Sequence, residues 1–363
     1  MLKNDLKSRN LPELLTREQM VEIMQREEYG YLPKNDFCWS VSNEITLETR
    51  LNKGKTHLSR VDFTLKNKNG SHTFPVHRLL HKDGKKHPVI VCININPQVP
   101  DKYFPIEEIS ETEYDVFIYC YTSITSDDAD FTTGIAPLVF PKGRQNDTDC
   151  GKIGLWAFAN MRVLDYVLTL DGTDEKNVAI LGHSRLGKTA LYTGMMDERF
   201  SFVFSNNAGC GGDALSRGGS GLPDSNGNFA VEENLRGETI EYITRTFDYW
   251  FCPNYKKYAK LGFSTDFDQH YIIAGIAPRN VCVNAAELDF WADQKSAQLC
   301  CMAAAKMWEE QGLYGMQECD HYLTGGEKLL NGNVGFFMAP TMHFLSRHAW
   351  NNFMEFMRIH RHN

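Results

Sequence analysis

Residues 178–191 read VAILGHSRLGKTAL: an apolar run enters a Gly-His-Ser-Arg-Leu-Gly turn and leaves as a helical stretch. Such a segment restricts the chain to folds in which a buried strand hands over to a helix through a sharp bend. Gly182 and Gly187 let strand and helix close around Ser184, so that its hydroxyl projects bare at the sheet edge. N–H groups of the first helical turn have no acceptor within the helix and face any anion that forms beside Ser184. The spacing predicts a nucleophile elbow. Taken alone, the same residues also fit a strand-turn-helix whose glycines serve only packing, and the rest of the chain decides between the two.

Along the chain the hydrophobic period changes twice. Residues 17–28 have helical spacing of Met20, Ile23 and Met24 and run into a Tyr-Gly-Tyr-Leu-Pro turn at 29–33. From 45 to 80 the pattern alternates, with Val61, Phe63 and Leu65 and then Phe74, Val76 and Leu79 on either side of a KNKNGS turn, which predicts an antiparallel N-terminal portion. HPVIVCINI (87–95) and DVFIYCYT (115–122) are continuous apolar runs, the mark of parallel strands buried on both faces. A long polar loop, 123–150, follows, and loops of that length are usually functional or rim structures. A helix is expected at 155–170, strands at 202–206 and 281–286, helices at 238–246 and 297–311, a last strand at 314–319 and an amphipathic helix at 349–360. Aromatic residues gather at 249–258, with Tyr249, Trp250, Phe251, Tyr255 and Tyr258. The alternation of strand and helix after residue 87 predicts an α/β fold, a doubly wound and mostly parallel sheet with helices on both faces and an antiparallel N-terminal edge. One domain is expected over 1–363, with 1–86 as the N-terminal helix and antiparallel strands and 87–363 as the core.

The chain of 363 residues has 38 basic and 46 acidic side chains, a net charge of −8, and 42% hydrophobic residues, enough for a large core. With no basic block beyond Lys85-Lys86, a nucleic-acid partner is not expected. No apolar run approaches the ~20 residues that span a bilayer, and the N-terminus lacks the apolar stretch of a signal peptide. No membrane partner is expected, and the chain as it stands reads as cytoplasmic, or as secreted if a leader has been removed. Ten cysteines are present without a CxxC pair, so no metal is expected. Several, such as Cys92 and Cys282, lie in apolar runs and are expected reduced and buried.

A serine hydroxyl needs a base to take its proton and a carboxylate to orient that base, and in an α/β-hydrolase fold they follow in the order serine, acid, histidine. Asp289 stands just past the 281–286 run, with Glu287 and Asp293 as close rivals. His343, in PTMHFLSRHAW, suits the base; His348 is nearer the final helix and His321 nearer the expected last strand. A loop aspartate otherwise serves as a cap, and a lone histidine as a solvated polar group.

GHSRLGK resembles the G-C-S-R-x-G-K elbow of the glucuronoyl esterases, the fifteenth carbohydrate esterase family, and the likeness continues along the chain. GKIGLWAFANMRVLDY (151–166), NNAGCGGDALSR (206–217), RGETI (236–240), FDQHYIIAGIAPR (267–279) and HFLSRHAWNNFMEF (343–356) resemble family segments in the same order. The resemblance implies Ser184 as nucleophile, His343 as base and Arg185 as a guanidinium aimed at the oxyanion. It also implies Lys188 and Glu238 as contacts to sugar hydroxyls and Trp291 as an aromatic wall for the ring. Where some fungal relatives pair two cysteines, this chain has His183 and Phe344; where they carry the acid, it has Asn207. Asp289 then takes that role, as in bacterial-type members.

The implied activity is a serine carboxyl-ester hydrolase that cleaves esters of (4-O-methyl-)glucuronic acid with alcohols, as in lignin–xylan links, without cofactor. Its expected partner is the carbohydrate ester. Two rivals are a carbohydrate acetyl esterase of acetyl-xylan type with the same triad and an inactive, sugar-binding homologue. Nothing in the sequence sets the alcohol portion or the oligomeric state.

Overall fold

A computed structural model describes residues 2–217, 237–260 and 265–361. Its strands are β1 (Cys38–Glu48), β2 (Thr56–Asn67), β3 (Gly70–His81), β4 (His87–Asn94), β5 (Asp115–Cys120), β6 (Thr173–His183), β7 (Phe202–Asn206), β8 (Asn280–Ala286), β9 (Lys328–Leu329) and β10 (Val334–Ala339). They form one sheet in the order β1-β2-β3-β5-β4-β6-β7-β8-β10-β9. β1, β2 and β3 pair antiparallel with one another and onto β5, and the block from β5 to β10 is parallel. The short β9 closes the far edge antiparallel. This is the expected α/β-hydrolase sheet with its antiparallel N-terminal edge.

The central strands carry apolar side chains on nearly every residue because both faces are covered. In β4, Val89, Val91 and Ile93 belong to one core and Ile90 and Cys92 to the other, as the two-residue period of a strand dictates. The first core takes α1 (Arg17–Met24), α2 (Lys152–Val167), α3 (Arg185–Met196) and α5 (Gln294–Glu309); between the last two in sequence lies the short α4 (Ile240–Thr246). The second core is covered by α6 (Arg347–His360), through Trp350, Phe353 and Phe356 against Phe202, Phe204 and Phe337.

Boundaries moved where caps decided them. The helix expected from 297 begins at Gln294, because Asp293 accepts hydrogen bonds from Ser296 N at 3.0 Å and Ser296 Oγ at 2.7 Å. Thr239 caps α4 by accepting from Tyr242 N at 3.1 Å, so the helix expected from 238 starts at Ile240. The 17–28 helix turns into a π-turn over Gln25–Tyr29. The expected last strand at 314–319 is a correction. There Met316 makes only an isolated bridge to Val334, and the strand is Val334–Ala339, all six residues buried. VGFFMA is a continuous apolar run suited to burial on both faces, whereas 314–319 (YGMQEC) mixes apolar and polar residues and packs Gly315 against the backbone of Ala305 in α5. All ten cysteines are free thiols, eight of them buried. Among the described residues no helix is long and apolar enough to cross a membrane.

Candidate active site

Because β6, β7, β8 and β10 run parallel, their C-terminal ends meet along one edge. His183, Asn206 and Asn284 are in register there, as are Ala286 and Ala339. Ser184 follows β6 directly, Asn207 follows β7, Asp289 lies in the loop after β8 and His343 in the loop after β10. An edge where strand ends converge is the place such sheets bind ligands.

Ser184 has φ 60° and ψ −127°, a conformation that L-residues adopt only when their surroundings impose it. The close approach that imposes it depends on Gly182, where a Cβ would fall inside the Leu186 carbonyl, and on Gly187, where one would meet Ala208 Cβ and Ser205 Oγ at 3.0 Å. Ser184 N donates to Asn206 O at 2.8 Å, fixing the turn to β7, and α3 starts at the next residue. The elbow is therefore present as the spacing required.

His343 Nδ1 lies 2.5 Å from Asp289 Oδ2, with Asp289 almost fully buried and the imidazole 40% exposed on the cavity side. Paired through Nδ1, the ring is left with Nε2 for the cavity. Both rivals of Asp289 are engaged elsewhere: Glu287 accepts from Gly325 N at 3.1 Å and Asp293 caps α5. His321 lies outside the lining of this cavity, between Asp320 and Glu327 at 3.0 and 3.1 Å, and His348 accepts from Asn352 Nδ2 at 3.0 Å. Beside His343, His183 Nδ1 accepts from Asn206 Nδ2 at 2.7 Å. Burial, helped by the neighbouring His343, pushes the His183 imidazole down to about 3, so it stays neutral at working pH.

Ser184, Arg185, Lys188, Asn207, Glu238, Trp291 and His343 line one cavity of about 330 Å³, together with Tyr242, Phe247 and Trp250. Every site residue expected from the sequence thus meets there except Asp289, which stands behind His343. Lys188 is buried; its Nζ donates to the carbonyls of Ala208 and Cys210 and to Glu238 Oε2 at 3.4 Å. Its three donors thus all have protein acceptors, so Glu238 is the member of that pair with acceptor capacity left for a ligand. Burial raises the Glu238 carboxyl above its ordinary value while Lys188 opposes the shift. The glycine-rich turn that Lys188 grips is shaped by Asp213, which accepts from Ser205 Oγ at 2.7 Å, Ala208 N at 3.0 Å and Gly209 N at 2.7 Å. Asn207 is buried at φ 51°, with both amide atoms unpartnered among the described residues. Trp291 meets Tyr242 edge to face, with centroids 4.6 Å apart.

Arg185 does more than project. Its Nη1 pairs with Asp127 and its guanidinium lies 4.8 Å from the centre of the Trp250 ring. Asp127 and Trp250 were not singled out from the sequence: one is an ordinary aspartate in the 123–150 loop, the other one of several aromatics, and no spacing rule ties either to the elbow. Arg236, of the RGETI segment, lies outside the described residues. Among the described residues the groupings that could hold a metal, His81–His87–Asp115 and Cys319–Asp320–His321, lie outside this cavity. In the first, His81 and His87 are already paired with Asp115 and Asp83 at 2.7 and 2.9 Å.

A parallel sheet with a strained serine at its elbow, and with a paired histidine and aspartate delivered by later strands, defines an α/β-hydrolase with a Ser–His–Asp constellation. Residues 142–312 match the family model described as glucuronyl esterase, fungi. The carbohydrate esterase MZ0003 of an unknown prokaryotic organism is 35% identical over 210 residues, 58% of this chain and 44% of that protein. The 4-O-methyl-glucuronoyl methylesterase of Hypocrea jecorina is 28% identical over 165 residues, 45% of this chain and 34% of that protein. The chain therefore spans less than half the length of either relative. Among solved structures, the glucuronoyl esterase from Solibacter usitatus superposes with a TM-score of 0.79 at 25% identity, covering 94% of this chain and 91% of that one. A promiscuous CE15 esterase from a marine bacterial metagenome gives 0.80 at 24% identity, covering 95% and 91%. The chain is thus similar to the glucuronoyl esterases of carbohydrate esterase family 15 across residues 142–312, and it shares the α/β-hydrolase fold of their solved structures.

Proposed function

We propose that the chain is a serine carboxyl-ester hydrolase acting on esters of (4-O-methyl-)glucuronic acid with alcohols. The observation that carries this reading is the hydrogen bond of 2.5 Å between His343 and Asp289, with His343 and the strained Ser184 on one cavity. Ser184 Oγ attacks the uronoyl carbonyl while His343 Nε2 takes its proton, and Asp289 holds the ring through Nδ1 and stabilises the imidazolium. The tetrahedral oxyanion is met by N–H groups at the start of α3 and by Arg185. Collapse expels the alcohol, protonated by His343, and water then releases the uronate from the glucuronoyl-enzyme by the same steps in reverse order. Glu238, held by Lys188, receives sugar hydroxyls, and Trp291 gives the ring an apolar wall. The homologous glucuronoyl methylesterases and the family match support the choice of acyl group.

The test is turnover of methyl and benzyl glucuronate by the purified chain and by Ser184→Ala, with acetyl-xylan alongside. A loss of roughly 10³–10⁶-fold in kcat is expected for the variant, by analogy with other triads. Equal turnover by Ser184→Ala sinks the mechanism; turnover of acetyl-xylan alone replaces the acyl group; and failure of a phosphonate to label Ser184 marks an inactive sugar-binding homologue.

A further inference from the structure

Resting on the reading of Arg185 as an oxyanion contact, we propose that Asp127 is the positioning residue that sets this guanidinium before substrate arrives. Asp127 lies in the long loop after β5, behind the residues that line the cavity. Its Oδ1 accepts from Trp250 Nε1 at 2.7 Å, and its Oδ2 accepts from Tyr121 Oη at 2.9 Å and from Arg185 Nη1. Its backbone carbonyl accepts from Tyr249 Oη at 3.1 Å. Donors from the end of β5 and from the 249–250 segment thus fix both oxygens, and the carboxylate cannot swing away from the arginine.

The arginine is held on a second side as well. Trp250 lies under the guanidinium at 4.8 Å and is itself stacked on Phe247, with ring centroids 4.1 Å apart and planes 3° from parallel. Among the described residues Nε and Nη2 have no protein acceptor, and Arg185 lines the cavity, so the donors not taken by Asp127 remain for a ligand there. A free arginine side chain carries ~2 kcal/mol of rotamer entropy, and an oxyanion contact is effective when that freedom has been removed beforehand. The 123–150 loop thereby brings a carboxylate to the guanidinium beside Ser184.

Steady-state kinetics on benzyl glucuronate test this with the wild type, Asp127→Asn, Arg185→Ala and the double variant, each with its Tm. Arg185→Ala is expected to lose about 10²-fold in kcat, and Asp127→Asn roughly tenfold with KM within about twofold. The double variant is expected to match Arg185→Ala within about twofold, because residues acting through one group do not add. An Asp127→Asn loss equally large in the Arg185→Ala background, or unchanged kcat in Asp127→Asn, overturns the proposal. Full kcat in Arg185→Ala removes the oxyanion role of Arg185 and the proposal with it. Should Asp127→Asn not fold, Asp127→Glu keeps the charge, displaces it by one methylene and carries the same comparison.

Discussion

Glu238 and Lys188 illustrate how a residue's partners change what it can do. A lysine one turn past the nucleophile reads as a ligand contact in sequence; in the fold its ammonium is consumed by two carbonyls and one carboxylate. What remains for a ligand is Glu238, nearly buried and paired with that lysine. Glu238→Gln keeps the shape and removes the charge. A hydrogen bond to a charged group contributes ~1.5–3 kcal/mol, so KM for methyl glucuronate should rise roughly tenfold to a hundredfold. Hydrolysis of p-nitrophenyl acetate, which presents no hydroxyls, should stay within about twofold. Parallel losses on both substrates would place Glu238 in the scaffold.

Among the elements, α6 bears most directly on the site, because the loop it anchors carries His343. Ser346 caps the helix by accepting from Ala349 N at 3.2 Å, three residues past the histidine. Trp350, fully buried on the second face of the sheet, donates Nε1 to Tyr103 O at 2.7 Å and packs on Phe104. Tyr103 in turn lies against His183 and Phe344, so the helix, the loop and the elbow share one packing unit. Trp350→Ala should destabilise the protein by ~3–5 kcal/mol in urea or guanidinium unfolding, the usual range for deleting a buried tryptophan. A change under ~1 kcal/mol would mean that the α6 face repacks without it.

At the scale of the molecule, the N-terminal π-turn braces the cavity from behind. Tyr29 Oη donates to Gly211 O at 2.8 Å, and the neighbouring Glu28 is buried against Gln269, whose Nε2 lies 3.1 and 2.9 Å from its two oxygens. Burial pushes the Glu28 carboxyl from 4.5 up to about 8, the nearby Asp268 adding to the rise. Between those values the folded chain keeps a proton that the unfolded chain has released, so this contribution to stability is whole below the lower value and is lost as pH rises to the upper one. Unfolding free energies of the wild type should therefore carry a declining component from about pH 5 to about pH 8, absent in Glu28→Gln. Identical pH slopes for the two proteins would show that Glu28 ionises in the folded state as it does unfolded.

The elbow at Ser184, the strands buried on both faces and the chain order serine, acid, histidine were legible in the sequence because each rests on local pattern: glycine spacing, continuous apolar runs and chain order in a parallel sheet. Local pattern failed at the last strand, where a mixed segment at 314–319 stood in for Val334–Ala339, and at helix starts that Asp293 and Thr239 set by capping. It could not choose among Glu287, Asp289 and Asp293 either, since three carboxylates within seven residues differ only in what they face. Tertiary structure pairs Asp289 with His343 and engages the other two elsewhere, and it alone joined Asp127, Trp250 and Arg185, which meet across long stretches of chain. Periodicity and spacing record what a residue does with its neighbours along the backbone, whereas hydrogen-bond and ion-pair partners depend on distances that exist only once the sheet has brought its strand ends together.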